Sequence, residues 1–262
     1  MDLGIRGKVA VVLAASKGLG RACARALAQE GCQLAIGSRD ADTLAATATD
    51  IQKDFQVPVL HQACDVMKEE QRQAFLDAVL KRYGHVDILI DNCGGPKPGG
   101  FKDTQNPQDW QDAFERSLLQ VVRWTQAVVP HMQGWGRIVN LVSSVVKQPI
   151  DNLLLSNAIR PGVIGFSKSI SRELMGQGIT INCVLPGFIR TDRMVQLCRA
   201  RAERDKVTLE KATAEVCREI PAGRMGEPEE FGALVAFLCS QQASYITGTT
   251  VTIDGGMTRA IT

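Results

Sequence analysis

The feature that most constrains this chain is an alternation of short apolar runs with amphipathic stretches of helical length. The first apolar run, Lys8–Ala14, ends at a turn and reads as a buried strand. Gly18-Leu19-Gly20 follows, and Arg21–Glu30 then carries apolar residues at Ala24, Leu27 and Ala28. That spacing predicts a helix, which Gly31 ends. The pattern recurs, with strands at Gln33–Gly37, Val59–Leu60, Val86–Ile90, Arg137–Val142, Thr180–Leu185 and Thr250–Ile253. Helices are expected near Asp42–Phe55, Glu69–Tyr83, Gln108–Met132, Val163–Met175 and Glu229–Cys239. Strands alternating with helices in this way predict an α/β domain with a doubly wound, seven-stranded, mostly parallel sheet and helices on both faces. No Pro/Gly/Ser linker and no repeat divides residues 1–262, so a single domain is expected.

Composition excludes several function classes. The formal net charge is +2, which gives no general attraction for nucleic acid or an anionic membrane surface. No apolar run approaches the length of about 20 residues that spans a bilayer. Met1–Arg6 has no apolar core, so no signal peptide is expected there. The eight cysteines form no Cys-x-x-Cys pair, and His61, His85 and His131 are dispersed. Neither a disulfide framework nor a metal site is expected, and a reducing cytoplasm suits the chain.

Two stretches break the alternation: the loop at 94–100, rich in Gly and Pro, and the long segment 187–226. Both follow strand carboxyl ends, where open α/β sheets bind ligands. The second is a candidate lid over a substrate.

The turn Ala14-Ala15-Ser16-Lys17-Gly18-Leu19-Gly20 lies between the first strand and the first helix. Glycines there let the backbone approach a pyrophosphate, and the helix start favours negative charge. The second strand ends in Ser38-Arg39-Asp40. Ser38 stands where an NAD binder would carry an acid for the ribose 2′-hydroxyl. Arg39 and Lys17 instead suit a 2′-phosphate, so NADP(H) is the expected cofactor.

These motifs resemble those of the short-chain dehydrogenase/reductase family, a Rossmann-type fold, and most closely its 3-oxoacyl-carrier-protein reductase branch. Leu13 and Ala14 stand where its Thr-Gly-x-x-x-Gly-x-Gly turn has Thr and Gly. Asp65-Val66 is similar to its adenine-contacting pair, and Asp91-Asn92-Cys93-Gly94 to its Asn-Asn-Ala-Gly. Pro186-Gly187-Phe188-Ile189-Arg190-Thr191 matches a segment beside the nicotinamide, and Ile253-Asp254-Gly255-Gly256 a C-terminal one. The resemblance implies cofactor contacts from Ser16, Lys17, Gly18, Leu19, Gly20, Arg39, Asp65, Val66, Asn92, Gly94, Arg160, Pro186, Gly187, Ile189 and Thr191. It also implies a small carbonyl or alcohol substrate and a homo-oligomer, tetramer or dimer.

The family's proton transfer uses Asn, Ser, Tyr and Lys. Ser143 occupies the serine position, at the end of Asn140-Leu141-Val142-Ser143. Where the family has Tyr-x-x-x-Lys, this chain reads Ser156-Asn157-Ala158-Ile159-Arg160. Ser117 fills the Asn position. Ser143, Ser156, Arg160 and Ser117 are therefore the candidate catalytic residues. A serine hydroxyl is a far weaker acid than a phenol, whose pKa is about 10. Lys147 and Asp151, in the intervening loop, are alternative acids but suit surface solvation better. Pro161 is expected to disfavour helix at Arg160 and to start the regular helix there. Three functions fit: an NADP(H)-dependent oxidoreductase with a nonstandard proton donor, a non-redox enzyme on the same scaffold, or a nucleotide-binding regulatory or partner subunit.

Overall fold

The computed structural model describes residues 2–261. Seven strands form one sheet: β1 (Val9–Leu13), β2 (Gln33–Ser38), β3 (Val59–Ala63), β4 (Ile88–Asp91), β5 (Gly136–Leu141), β6 (Ile179–Pro186) and β7 (Thr250–Ile253). Their spatial order is β3-β2-β1-β4-β5-β6-β7, and every neighbouring pair is parallel. The chain reverses its winding between β1 and β4, which opens a crevice at their carboxyl ends.

Alternate residues of each strand feed opposite faces, as strand geometry demands. Ala10, Val12, Leu34, Ile36, Ile88 and Ile90 pack under α1 (Gly18–Gln29), α2 (Ala41–Phe55) and α10 (Pro228–Leu238). Val9, Val11, Leu13, Ala35 and Leu89 face α3 (Glu69–Tyr83), α5 (Gln120–Val128) and α7 (Pro161–Met175). Phe75 of α3 meets Trp124 of α5 edge-on there, with ring centroids 6.2 Å apart.

Two helical segments depart from the sequence expectation. The stretch expected as one helix over Gln108–Met132 is divided into α4 (Pro107–Phe114), a π-helical turn over Glu115–Leu119 and α5. That turn carries Ser117, and such bulges occur mostly as local features at functional sites. The helix expected from Val163 is preceded by α6 (Leu154–Ile159), and Pro161 does not exclude helical backbone at Arg160. Arg160 has φ −61° and ψ −28°, and its N–H donates to the Ser156 carbonyl at 3.1 Å. Pro161 becomes the first residue of α7, where its missing N–H leaves no bond unmade. Ser156 and Arg160 therefore stand one turn apart on the same side of the chain.

Residues 187–226 hold α8 (Asp192–Asp205) and α9 (Leu209–Arg218), packed around Cys198, Val216, Ile220 and Met225. Backbone bonds from Arg190 to Gly226 and from Gly226 to Phe188 tie the two ends of this segment together. No helix among the described residues is long and apolar enough to cross a membrane.

Candidate active site

The crevice at the strand ends is a cleft of about 810 Å³. One end is built by the turn after β1. Gly18 opens α1 with φ +58°, a left-handed conformation that glycine adopts without strain. A side chain at Gly20 would meet the Ala14 carbonyl oxygen at 2.3 Å, so only glycine lets α1 pack against the turn. The Thr47 hydroxyl donates to the Ser16 carbonyl at 2.8 Å and fixes the turn from α2. The first N–H groups of α1 carry no side-chain cap and face the cleft.

Ser38 and Arg39 line the same end, with Lys17. Asp40 is engaged elsewhere. Its carboxylate caps α2, accepting from the Thr43 N–H at 3.0 Å and the Thr43 hydroxyl at 2.7 Å. Those two bonds hold its pKa below the ordinary carboxylate range. Asp65 and Val66 form the neighbouring wall, and Asp65 accepts from the Met67 N–H at 3.1 Å.

The other end gathers Ser143, Ser156, Arg160, Asn92 and Gly94 from three separate elements. Ser143 lies two residues past β5 and caps a short 3₁₀ turn. Ser156 is buried on α6. Arg160 donates from Nη1 to the Val142 carbonyl at 2.7 Å, and burial pulls its pKa down from the ordinary arginine value. The loop between Ser143 and Ser156 is held by Asn157, whose Nδ2 donates to the Ile150 carbonyl at 2.9 Å. Neither Lys147 nor Asp151 lines the cleft.

Ser117 lies one layer deeper. It lines a second cavity of about 10 Å³ with Gln120 and Val163, and Cys93, Arg116, Leu141 and Arg160 border both spaces. The Ser117 hydroxyl, Gln120 Oε1 and Arg160 Nε are buried there without hydrogen-bond partners. A space of that size admits about one water, which such groups would bind. Gln120 Nε2 donates to Asp91 Oδ1 at 2.9 Å, and burial raises the Asp91 carboxyl to about 7.

Most residues singled out from the sequence converge on the cleft: Ser16, Lys17, Gly18, Leu19, Arg39, Asp65, Val66, Asn92, Gly94, Ser143, Ser156, Arg160, Pro186 and Thr191. Gly20, Gly187 and Ile189 do not line it. A side chain on Gly187 would meet Asp254 Cβ at 2.5 Å, and Ile189 is buried in the core beside β5. These three shape the cleft through packing. The sequence reading did not select Arg116 and Arg193 as site residues, yet both line the cleft. Their placement depends on the π-helical turn and on how α8 is laid over the cleft, which no local pattern encodes.

The arrangement fits a dinucleotide. The α1 N-terminus suits a pyrophosphate, and Gly94 leaves open space where a side chain would project. Lys17 and Arg39 put two positive charges at the same end of the cleft, while the Ser38 hydroxyl donates to the Asp40 carbonyl at 3.2 Å.

Comparison with known proteins agrees with this geometry. A family model described as "Enoyl-(Acyl carrier protein) reductase" matches residues 13–258. The 3-oxoacyl-(acyl-carrier-protein) reductase FabG of Vibrio cholerae is 36% identical over 257 residues, covering 97% of this chain and 99% of the relative. The NADPH-dependent reductase BacG of Bacillus subtilis is 33% identical with the same coverage. The crystal structure of L-sorbose reductase from Gluconobacter frateurii, complexed with NADPH and L-sorbose, superposes with a TM-score of 0.95 at 31% identity over both whole chains. The chain belongs to the short-chain dehydrogenase/reductase family.

Proposed function

We propose that this protein is an NADP(H)-dependent reductase of a small carbonyl substrate, similar to the 3-oxoacyl-carrier-protein reductases, with a nonstandard proton donor. The observation that carries this is one cleft joining the phosphate-binding turn and Arg39 at one end to Ser143, Ser156 and Arg160 at the other. The NADPH named for BacG and for the sorbose reductase structure supports the cofactor assignment.

Bound NADPH supplies the hydride. The protein's own groups position and polarise the carbonyl. Ser143 and Ser156 donate hydrogen bonds to the substrate oxygen, and Arg160 adds positive charge beside it. Ser156 and Arg160 take the places of the family's Tyr and Lys. Neither tyrosine of the chain substitutes for the missing phenol. The Tyr83 hydroxyl donates to the Leu34 carbonyl at 2.9 Å, and Tyr245 is 99% exposed outside the cleft. The proton therefore comes from water, and Ser117 with Gln120 borders a buried place for it.

The segment 187–226 acts as the substrate lid. The chain works as a homo-oligomer, a dimer or tetramer, which the position of β7 at the sheet edge supports. All eight cysteines are free, which supports the reducing cytoplasm as its compartment.

Titration of NADPH followed by fluorescence, and NADPH oxidation across a panel of ketones and 3-oxoacyl thioesters, test this function. NADPH binding with turnover of at least one carbonyl is expected. Binding without turnover of any would overturn the reductase assignment, and absence of binding would overturn the cofactor assignment as well.

A further inference from the structure

The substrate half of the cleft holds more positive charge than a neutral ketone needs. Arg116, Arg160, Arg193 and Lys97 line the cleft, whose carboxylates are Asp192 and, on the side of the α1 turn, Asp40 and Asp65. Lys97 is neutralised by Asp109 at 2.8 Å. Other arginines of the lid segment are also paired: Arg190 with Glu227, Arg201 with Glu215 and Glu219, and Arg224 with Glu230. Among the described residues, no carboxylate forms an ion pair with Arg160 or Arg193.

These two guanidiniums converge on one place. A Cβ built on Gly95 would lie 3.6 Å from Arg193 Nη2 and 3.8 Å from Arg160 Nη2, the two atoms nearest to it beyond its own chain neighbours. Two like charges so close repel each other unless an anion lies between them. Arg160 is already held by the Val142 carbonyl through Nη1, so its Nη2 is pre-aimed and its Nε remains unpartnered. The absence of a side chain at Gly95 leaves the space between the two forks open.

The cofactor's phosphates have their own place. The pyrophosphate belongs on the α1 N-terminus at Gly18, where the Thr191 side chain closes in at 3.6 Å from a Cβ position. Gly95 lies beyond Asn92 and Gly94, in the loop shared with Pro96 and Lys97.

We propose that Arg160 and Arg193, converging over Gly95, form an anion subsite that holds a carboxylate of the substrate, so that the enzyme reduces oxo acids in preference to neutral ketones. A planar carboxylate matches guanidinium forks in shape as well as charge. The proposal rests on the reductase function above, so its test includes a measurement that needs no turnover.

That measurement is calorimetric titration of malonate into the protein, alone and with saturating NADP⁺. It is made for the wild type, Arg193→Gln and Gly95→Ala, with NADP⁺ affinity recorded for each. Malonate is expected to bind the wild type and to weaken by about tenfold or more in both variants, while NADP⁺ affinity changes less than about twofold. In turnover, acetoacetate is expected to exceed methyl acetoacetate by about tenfold in kcat/KM, and Arg193→Gln should remove that preference. Failure of malonate to bind, or equal binding by wild type and variants, overturns the subsite. So does a loss in Arg193→Gln that falls on NADP⁺ instead, since Arg193 would then serve the cofactor. Malonate binding without reduction of these ketones or of any other carbonyl in the panel leaves the subsite standing and refutes the reductase function.

Discussion

The Arg160 guanidinium donates to the Val142 carbonyl oxygen at 2.7 Å, and so ties the α6–α7 junction to the end of β5 next to Ser143. Truncation to alanine removes a charged hydrogen bond and the packing of the buried stem. Arg160→Ala is expected to destabilise the fold by about 1–3 kcal/mol and to weaken NADPH binding. Arg160→Lys should recover most of the binding, since one ammonium donor still reaches a ribose hydroxyl, but less of the stability. Urea unfolding and NADPH titration of the two variants separate these effects. Full stability in Arg160→Ala would mean the Val142 contact holds nothing in place.

Ser156 and Arg160 share one side of the chain, one turn apart, despite Pro161. A Tyr and a Lys placed there would face the cleft together. The double variant Ser156→Tyr/Arg160→Lys is therefore expected to raise kcat by about 10–100-fold, because general acid catalysis by a phenol is worth about 10²–10⁴-fold. The gain should need both changes, since the lysine lowers the phenol's pKa. Stopped-flow NADPH oxidation at saturating substrate measures it. A double variant no faster than the wild type would show that proton delivery does not limit the native reaction.

The alternation of apolar runs with helical stretches made the seven parallel strands legible, because each βα unit is encoded locally. The cofactor half of the cleft was legible for the same reason, since Ser16–Leu19, Arg39 and Asp65 each follow a strand end. Features that depend on long-range packing were not. The π-helical turn at Ser117 interrupts what reads as one unbroken helix. Arg160 stays helical before Pro161 because α6 ends at Ile159 and α7 begins anew at the proline, where no N–H is needed. Arg193 reaches Gly95 only through the path of the segment after β6.

Ala14 takes φ +49° at the floor of the phosphate-binding turn, a left-handed conformation in which its methyl group is strained. Such a residue costs roughly 1–3 kcal/mol. Ala14→Gly is expected to stabilise the protein by about 1 kcal/mol after the added flexibility of the unfolded glycine is counted. It should also tighten NADPH binding by clearing the Cβ from the cleft. Thermal unfolding with and without NADPH reads both effects. A lower Tm without ligand would refute the strain.

Arg39 is exposed at the cleft end and has no protein partner competing for it among the described residues. A 2′-phosphate contact to arginine is a charge-assisted pair, worth roughly 1.5–3 kcal/mol. Arg39→Ala should therefore weaken NADPH by about 10–100-fold and leave NADH nearly unchanged. The ratio of the two dissociation constants is the diagnostic quantity. Parallel weakening of both would assign Arg39 to adenine stacking instead.

Asp91 is buried at the end of β4, where Gln120 satisfies one carboxyl oxygen and the other has no partner. Burial raises its pKa to about 7, well above the value of about 4 expected in the unfolded chain. The sign follows from proton binding. Between these two values the folded state holds a proton that the unfolded state has lost, so stability falls as pH rises from about 4 to about 7. Above pH 7 both states are ionised and the loss is complete. Asp91→Asn keeps an acceptor for Gln120, never ionises and places an amide donor on the unpartnered side. It is expected to match the wild type near pH 3, to pull ahead of it from about pH 4, and to exceed it at pH 8 by roughly 2–4 kcal/mol. Subtracting the two urea-unfolding curves across that range cancels every other titrating group. A difference that does not vary with pH would show that Asp91 is ionised in the folded protein throughout.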